Sequence, residues 1–242
     1  MTDGTTTGKP LRRVAVERPP SFGDYLQRLR TAGSALLVTG RTDEWVQRHA
    51  SRKLLGHPHP GEDAEPRYRL AVAVDGTTAA DEFLPTGSEM SSPAPRTIHG
   101  AVASTRGATT EAAGTVGRPG GTPASATLAD DVVAAIDEFA AGGELAPGQL
   151  RVGTTSLLPI LEREGVDAAT EFCQQVGDAV RRHDGTAHFH CPLPDGDRQV
   201  GLLNEVVNAR VELRQRNGDP VQCRWHTPYP GLTADTGWMD FG

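Results

Sequence analysis

Gly40 closes a short apolar run, Ser34-Ala35-Leu36-Leu37-Val38-Thr39, and a helix-like segment, 43–55, follows at once. A strand, a glycine turn and a helix near the start of an α/β domain are the setting of a phosphate-binding loop. That loop needs a second glycine, a lysine and a hydroxyl at fixed offsets, so that backbone N–H groups and an ammonium surround the phosphates. Counted from Gly40, those offsets hold Trp45, Val46 and Gln47. Asp43 and Glu44 put carboxylates where triphosphate oxygens would sit, and they compete with any anion for the helix N-terminus. Arg41 sits in the turn itself and is the cation best placed to hold an anion there. Lys53 lies about two turns beyond Val46, at about 1.5 Å per residue, too far along to substitute. The spacing predicts a nucleotide-binding architecture without phosphoryl-transfer chemistry.

His188 and His190 alternate on a segment that reads as a strand, so they share a face. A metal could use both imidazoles with a carboxylate such as Asp195 or Asp197. The plainer reading is two polar residues hydrogen-bonded at a strand end. Ser156, next to Thr155, lacks both a glycine elbow and a base at readable spacing, and is expected to cap a helix. Cys173 falls on an apolar helix face and belongs to a core. Cys191 follows His190 directly, but strand neighbours point apart, which argues against a Cys-His dyad. Arg210, Arg214, Arg216 and Arg224 form a basic cluster on a terminal hairpin, diluted by Glu212 and Asp219. It reads as a surface for an anionic ligand or acidic partner, or as a solvated hairpin face. Trp225, Tyr229, Trp238 and Phe241 anchor the C-terminal segment on the sheet or present a partner surface. Arg210, Arg214, Arg224 and Trp225 are therefore the expected contact residues.

These residues need elements to hold them. Residues 1–20 read as a flexible tail and 21–242 as one domain. Phe22, Tyr25, Leu26 and Leu29 are spaced as one face of a short helix. Strands are predicted at 34–39, 68–74, 96–104, 150–154 and 185–191, with helices at 43–55, 77–84, 128–141, 157–161, 166–183 and 199–203. Asp43 is the expected cap of the second helix. Two further strands, 206–215 and 220–226, flank Asn217-Gly218-Asp219, which has hairpin chemistry. The stretch 105–126, rich in Gly, Thr, Ala and Pro, reads as a mobile loop. Strands alternating with helices and ending in a hairpin predict a mainly parallel sheet with an antiparallel edge.

The chain has 242 residues, 37% of them hydrophobic, enough for one core; Gly 28 and Pro 18 argue for long loops. A net charge of -7 counts against general electrostatic binding to nucleic acid or anionic membranes. Lys9 and Lys53 are the only lysines; this composition fits a GC-rich genome or a high-salt cytoplasm. Cys173, Cys191 and Cys223 form no CxxC pair and cannot all bridge, which points to a reducing compartment. No apolar run approaches the roughly 20 residues of a membrane span, and 1–10 carries no signal-peptide core. A soluble cytoplasmic protein is expected.

The order of these pieces resembles the RecA/KaiC-like ATPase superfamily. Leu150-Arg151-Val152-Gly153-Thr154-Thr155-Ser156-Leu157 looks like that family's arginine-led strand followed by Asp-Ser-Leu, with Thr155 at the aspartate that serves magnesium. The helix 166–183, the strand 185–191 and Ala209-Arg210-Val211-Glu212-Leu213-Arg214 also stand where the family places them. More narrowly, the C-terminal half is similar to a haloarchaeal KaiC-like group sometimes labelled HTR-like. The Leu-Pro at Leu158-Pro159, His188-Phe189-His190 before Cys191-Pro192-Leu193-Pro194, and Arg224-Trp225-His226 carry that likeness. The resemblance implies a RecA/KaiC-like sheet flanked by helices. Both nucleotide motifs depart from the pattern at Gly40, Arg41, Trp45, Val46, Gln47, Thr155 and Ser156, so it does not imply hydrolysis. The expectation is a non-catalytic regulatory or scaffold module that works through a protein partner or self-association, with signalling as one setting and with no cofactor. A residual enzyme would use His188, His190, Ser156 or Arg151 at the carboxyl edge of the sheet. A recombinase-like nucleic-acid binder would need a basic groove interleaved with aromatics, which the sequence lacks.

Overall fold

The computed structural model describes residues 21–56, 66–90, 93–102, 122–216, 218–227 and 236–241. The predicted tail and most of the loop predicted at 105–126 lie outside these residues. The chain runs α1 (Phe22–Thr31), β1 (Ser34–Thr39), α2 (Glu44–Leu55), β2 (Tyr68–Ala73), β3 (Arg96–His99), α3 (Ala124–Ala140), β4 (Leu150–Thr154), α4 (Leu158–Arg163), α5 (Val166–Arg182), β5 (Thr186–Cys191), α6 (Arg198–Leu203), β6 (Ala209–Arg214), β7 (Gln222–His226) and β8 (Met239–Asp240).

All strands join one 8-stranded sheet in the order β3-β2-β4-β5-β1-β6-β7-β8. β3 through β6 run parallel, and β7 and β8 return antiparallel. Every residue of β1 and β5 is buried, as befits interior strands covered on both faces. The larger core packs Leu37, Val152 and Phe189 against Ile136 of α3 and Phe172 and Val176 of α5. The opposite face is thinner. There Val38, Val211 and Leu213 meet Val46 and Ala50 of α2, and Leu36 and Ala209 meet Tyr25 of α1. Ser21 starts α1 with a reciprocal capping box to Asp24, and the Tyr25 hydroxyl donates to the Asn208 carbonyl at 2.8 Å, tying α1 to the start of β6.

The predicted third strand, 96–104, stops at His99. Gly100 donates its N–H to the Ala73 carbonyl at 2.7 Å, and a Cβ there would lie 2.5 Å from the Val74 oxygen, so the chain turns in against the end of β2. Ala101 and Val102 therefore lie past the sheet, not in it. The helix predicted at 77–84 is a single 3₁₀ turn, Ala80–Phe83. β8 has no counterpart among the predicted strands; it brings Trp238 over the guanidinium of Arg214, 3.8 Å from ring centroid to Cζ. β3 and β8, the two rims of the sheet, are short and mostly exposed.

Candidate functional site

The carboxyl ends of the parallel strands, where open α/β sheets bind ligands, border a cleft of about 580 Å³. Between β1 and α2 stand only Gly40, Arg41, Thr42 and Asp43, too few to wrap a phosphate. Gly40 adopts φ 109, and a Cβ on it would lie 2.1 Å from the Leu213 carbonyl oxygen. Its N–H donates to the Leu193 carbonyl at 2.9 Å. The glycine thus serves close packing between β1 and β6, and its N–H is already spent.

The lysine offset, Val46, is buried among Val38, Val211 and Leu213 and turns away from the cleft. Gln47 folds back, its Nε2 donating to the Thr42 carbonyl at 3.2 Å. Trp45 is exposed. Asp43 holds the N-cap position without a side-chain bond; its carbonyl accepts from the N–H groups of Val46 and Gln47. Asp43, Glu44, Asp75 and Glu162 line the cleft, with Arg41 as the lining cation among the described residues. Asp75 Oδ1 is engaged by the N–H groups of Thr77 and Thr78. Thr155 is buried; its N–H donates to the Val72 carbonyl and its hydroxyl accepts from Val74 N–H. Ser156 accepts from Leu158 N–H at 3.2 Å, a local turn one residue ahead of the α4 cap at Leu157.

His188 and His190 do share a face, with ring centroids 5.3 Å apart. Both are buried beneath α2 and the 3₁₀ turn: Ser51 Oγ lies 2.9 Å from His188 Nε2, and Phe83 stands edge-on to His190. Burial, then His190 and Arg151, holds His188 well below the usual imidazole range. Burial alone lowers His190 to about 3, and its Nε2 has no hydrogen-bond partner among the described residues. Neither histidine lines the cleft. Burial raises Cys191 to about 12, against a bond from Leu193 N–H, and holds Cys173 well above the usual thiol range, so neither thiol forms a ready thiolate. Asp195 and Asp197, the carboxylates weighed as partners for the imidazoles, are otherwise engaged: Asp197 caps α6 through Gln199 N–H, and Asp195 belongs to a different cluster.

That cluster unites Asp195, Glu212 and His226, whose ligand atoms all lie within 4.8 Å of one another. It is the donor set that could hold a cation among the described residues. Its neighbours already neutralise it. Arg210 Nε lies 3.0 Å from Asp195 Oδ1 without a well-aimed N–H, and Arg224 Nε donates to Glu212 Oε2 at 3.0 Å. The Thr39 hydroxyl also donates to Asp195. Arg214 donates to Gln222 Oε1 at 2.8 Å and stacks on Trp238. Trp225 faces the other side of the sheet and meets Phe22 edge-on. The basic hairpin and Trp225 therefore do not form one surface. His226 was not among the sequence candidates; its register opposite Arg210 in β7 places it there, and only the strand pairing shows that.

The profile described as "Family of unknown function (DUF7504)" matches residues 33–213. A solved structure, the KaiC-like protein PH0186 from the hyperthermophilic archaeon Pyrococcus horikoshii OT3, is similar in fold, with TM-score 0.50, 12% identity, and 87% of this chain and 86% of that chain covered. No curated protein matches the sequence. The fold is RecA/KaiC-like, as the order of elements predicts. No helix among the described residues is long and apolar enough to cross a membrane.

Proposed function

We propose that this chain, which belongs to the family of unknown function DUF7504, is a RecA/KaiC-like domain that does not hydrolyse nucleotides and acts as a regulatory or scaffold module through protein contacts. One observation carries the reading: the cleft at the carboxyl edge is lined by Asp43, Glu44, Asp75 and Glu162 against Arg41. Phosphoryl transfer needs fixed positive charge around the β- and γ-phosphates. Here the lysine position is packed into the core and the metal-side position is a buried, hydrogen-bonded threonine. Trp45, 44% exposed in the first turn of α2 beside Glu44, is a side chain that a partner protein or a second copy would cover. The same reading keeps the likeness to the haloarchaeal KaiC-like group and a cytoplasmic setting.

The test is steady-state phosphate release from ATP with magnesium, at low and at high salt, on the parent and on Arg41→Ala. The expected result is release at background in both. Turnover above background that disappears in Arg41→Ala would overturn the proposal.

A further inference from the structure

The amino-terminal ends of the parallel strands border a second cavity, of about 530 Å³, at the opposite end of the sheet from the acidic cleft. Its walls come from the last turns of α1 and α2 and the starts of β1, β4 and β5. Arg30, Lys53, Arg67 and Arg151 line it, and no carboxylate does among the described residues. In this chain of net charge -7, that concentration of one sign is not a composition effect.

Arg30 and Lys53 stand in the last turns of helices, where a cation complements the carbonyl-rich end. Arg151 has no such reason to be there. It projects from the interior strand β4, donates Nε to the Gly148 carbonyl at 2.9 Å, and has no carboxylate partner among the described residues. Burial, and then Arg67, Arg30 and Arg69, press its guanidinium down to about 10. Arg151 and Arg30, each disfavouring the other's charge at the mouth of one cavity, both gain when an anion enters.

Two hydroxyls add an independent observation. Ser34 Oγ and Thr186 Oγ1 line the same cavity, are 0% and 7% exposed by residue, and have no hydrogen-bond partner among the described residues. Buried hydroxyls normally find one. Phosphate oxygens would satisfy both while the guanidiniums take the charge. Leu29, Leu54 and Trp225 make the remaining wall apolar. The volume falls within the roughly 300–1,000 Å³ of small-molecule sites.

We propose that this cavity binds a small organic phosphate, with the phosphate on Arg30, Arg151, Ser34 and Thr186 and an apolar or aromatic part against Leu29, Leu54 and Trp225. It is distinct from the carboxyl-edge cleft and does not depend on the fate of hydrolysis there.

The test is titration calorimetry on the full chain with phenyl phosphate and with inorganic pyrophosphate. The parent should bind phenyl phosphate, more weakly as salt rises. Arg151→Gln and Arg30→Ala should each weaken binding at least tenfold, Arg151→Lys should retain part of it, and Arg41→Ala should leave it unchanged. Circular dichroism checks each fold; if Arg151→Gln does not fold, the exposed Arg30 carries the test alone. No binding of either probe by the parent, parent-like binding in the arginine variants, or loss of binding in Arg41→Ala would overturn the proposal. So would sedimentation with phosphatidylglycerol vesicles in the absence of phenyl phosphate binding, which would assign the cavity to a lipid headgroup.

Discussion

Gly153→Ala should destabilise the protein strongly although it adds one methyl group in a strand. Gly153 pairs in register with His188 across β4 and β5. A Cβ at Gly153 would stand 2.5 Å from His188 Cε1 and 2.6 Å from its Nε2, with Ser51 Oγ at 3.2 Å. The ring cannot swing aside freely, because it is 1% exposed and bonded to a serine that is itself fully buried. Overpacking of this kind costs about 1–3 kcal/mol, and breaking the buried Ser51 contact adds about 1 kcal/mol. A net loss of about 3 kcal/mol follows, or a fall in Tm of about 9 °C at about 3 °C per kcal/mol for a chain this size. Urea denaturation gives the loss directly. The second arm is His188→Ala, which on its own leaves a cavity and an orphaned Ser51 hydroxyl, at about 2–3 kcal/mol. In the double variant the new methyl occupies part of that cavity, so the combined loss should fall short of the sum by at least about 1.5 kcal/mol. A Gly153→Ala protein within about 0.5 kcal/mol of the parent, or strict additivity in the double variant, would refute the assignment of Gly153 to clearance for the imidazole.

Gly40→Ala should cost more than about 3 kcal/mol, because the methyl would meet the Leu213 carbonyl at 2.1 Å and φ 109 is unfavourable for alanine; a near-parent melting temperature would count against the packing role. His190 is pulled from 6.5 to about 3 and His188 also downward, so the unfolded chain binds protons that the folded chain refuses. Their contribution is intact above about pH 6.5 and is lost as pH falls toward 3, about 5 kcal/mol for His190 alone by the end of that window. His190→Leu should flatten stability against pH by about 1.4 kcal/mol per unit between pH 6 and 4, measured by urea midpoints, and an unchanged slope would exclude the histidine as the cause. Asp195→Ala removes the acceptor of the Thr39 hydroxyl and the carboxylate beside Arg210, and should cost about 1–3 kcal/mol in the same assay, whereas a neutral outcome would mean the cluster is solvated.

Where local pattern decides, the sequence was a good guide. The runs at β1 and β2 are apolar enough for strands covered on both sides, and in β5 alternation alone put His188 and His190 together. The distance from Gly40 to the helix was equally legible, since a phosphate-binding loop needs more residues than the chain supplies. What escaped depends on partners remote in sequence. β8 is too short to have a period, and it exists because Cys223 and Gln222 offer it a ladder. Arg151, expected with His188, His190 and Ser156 at the carboxyl edge, stands instead at the start of β4, at the opposite end of the sheet from the acidic cleft. Its meeting with Arg30 and Arg67 needs α1 and the approach to β2 to converge on one end of β4. Asp195 seemed a partner for the imidazoles because it follows them closely, yet it lies across β1 and β6, beside Thr39 and Arg210.

The two rims of the sheet bear on how copies of this protein could meet. Open strand edges are templates on which further strands grow, and proteins suppress this by keeping them short or charged. β3 ends after Arg96-Thr97-Ile98-His99 with Arg96 bridged to Glu138, and β8 is only Met239-Asp240. Among the described residues, neither rim offers a ladder long enough to propagate, so strand addition is a poor route by which copies could join. Crowding at high concentration should bring no gain in strand content by infrared spectroscopy.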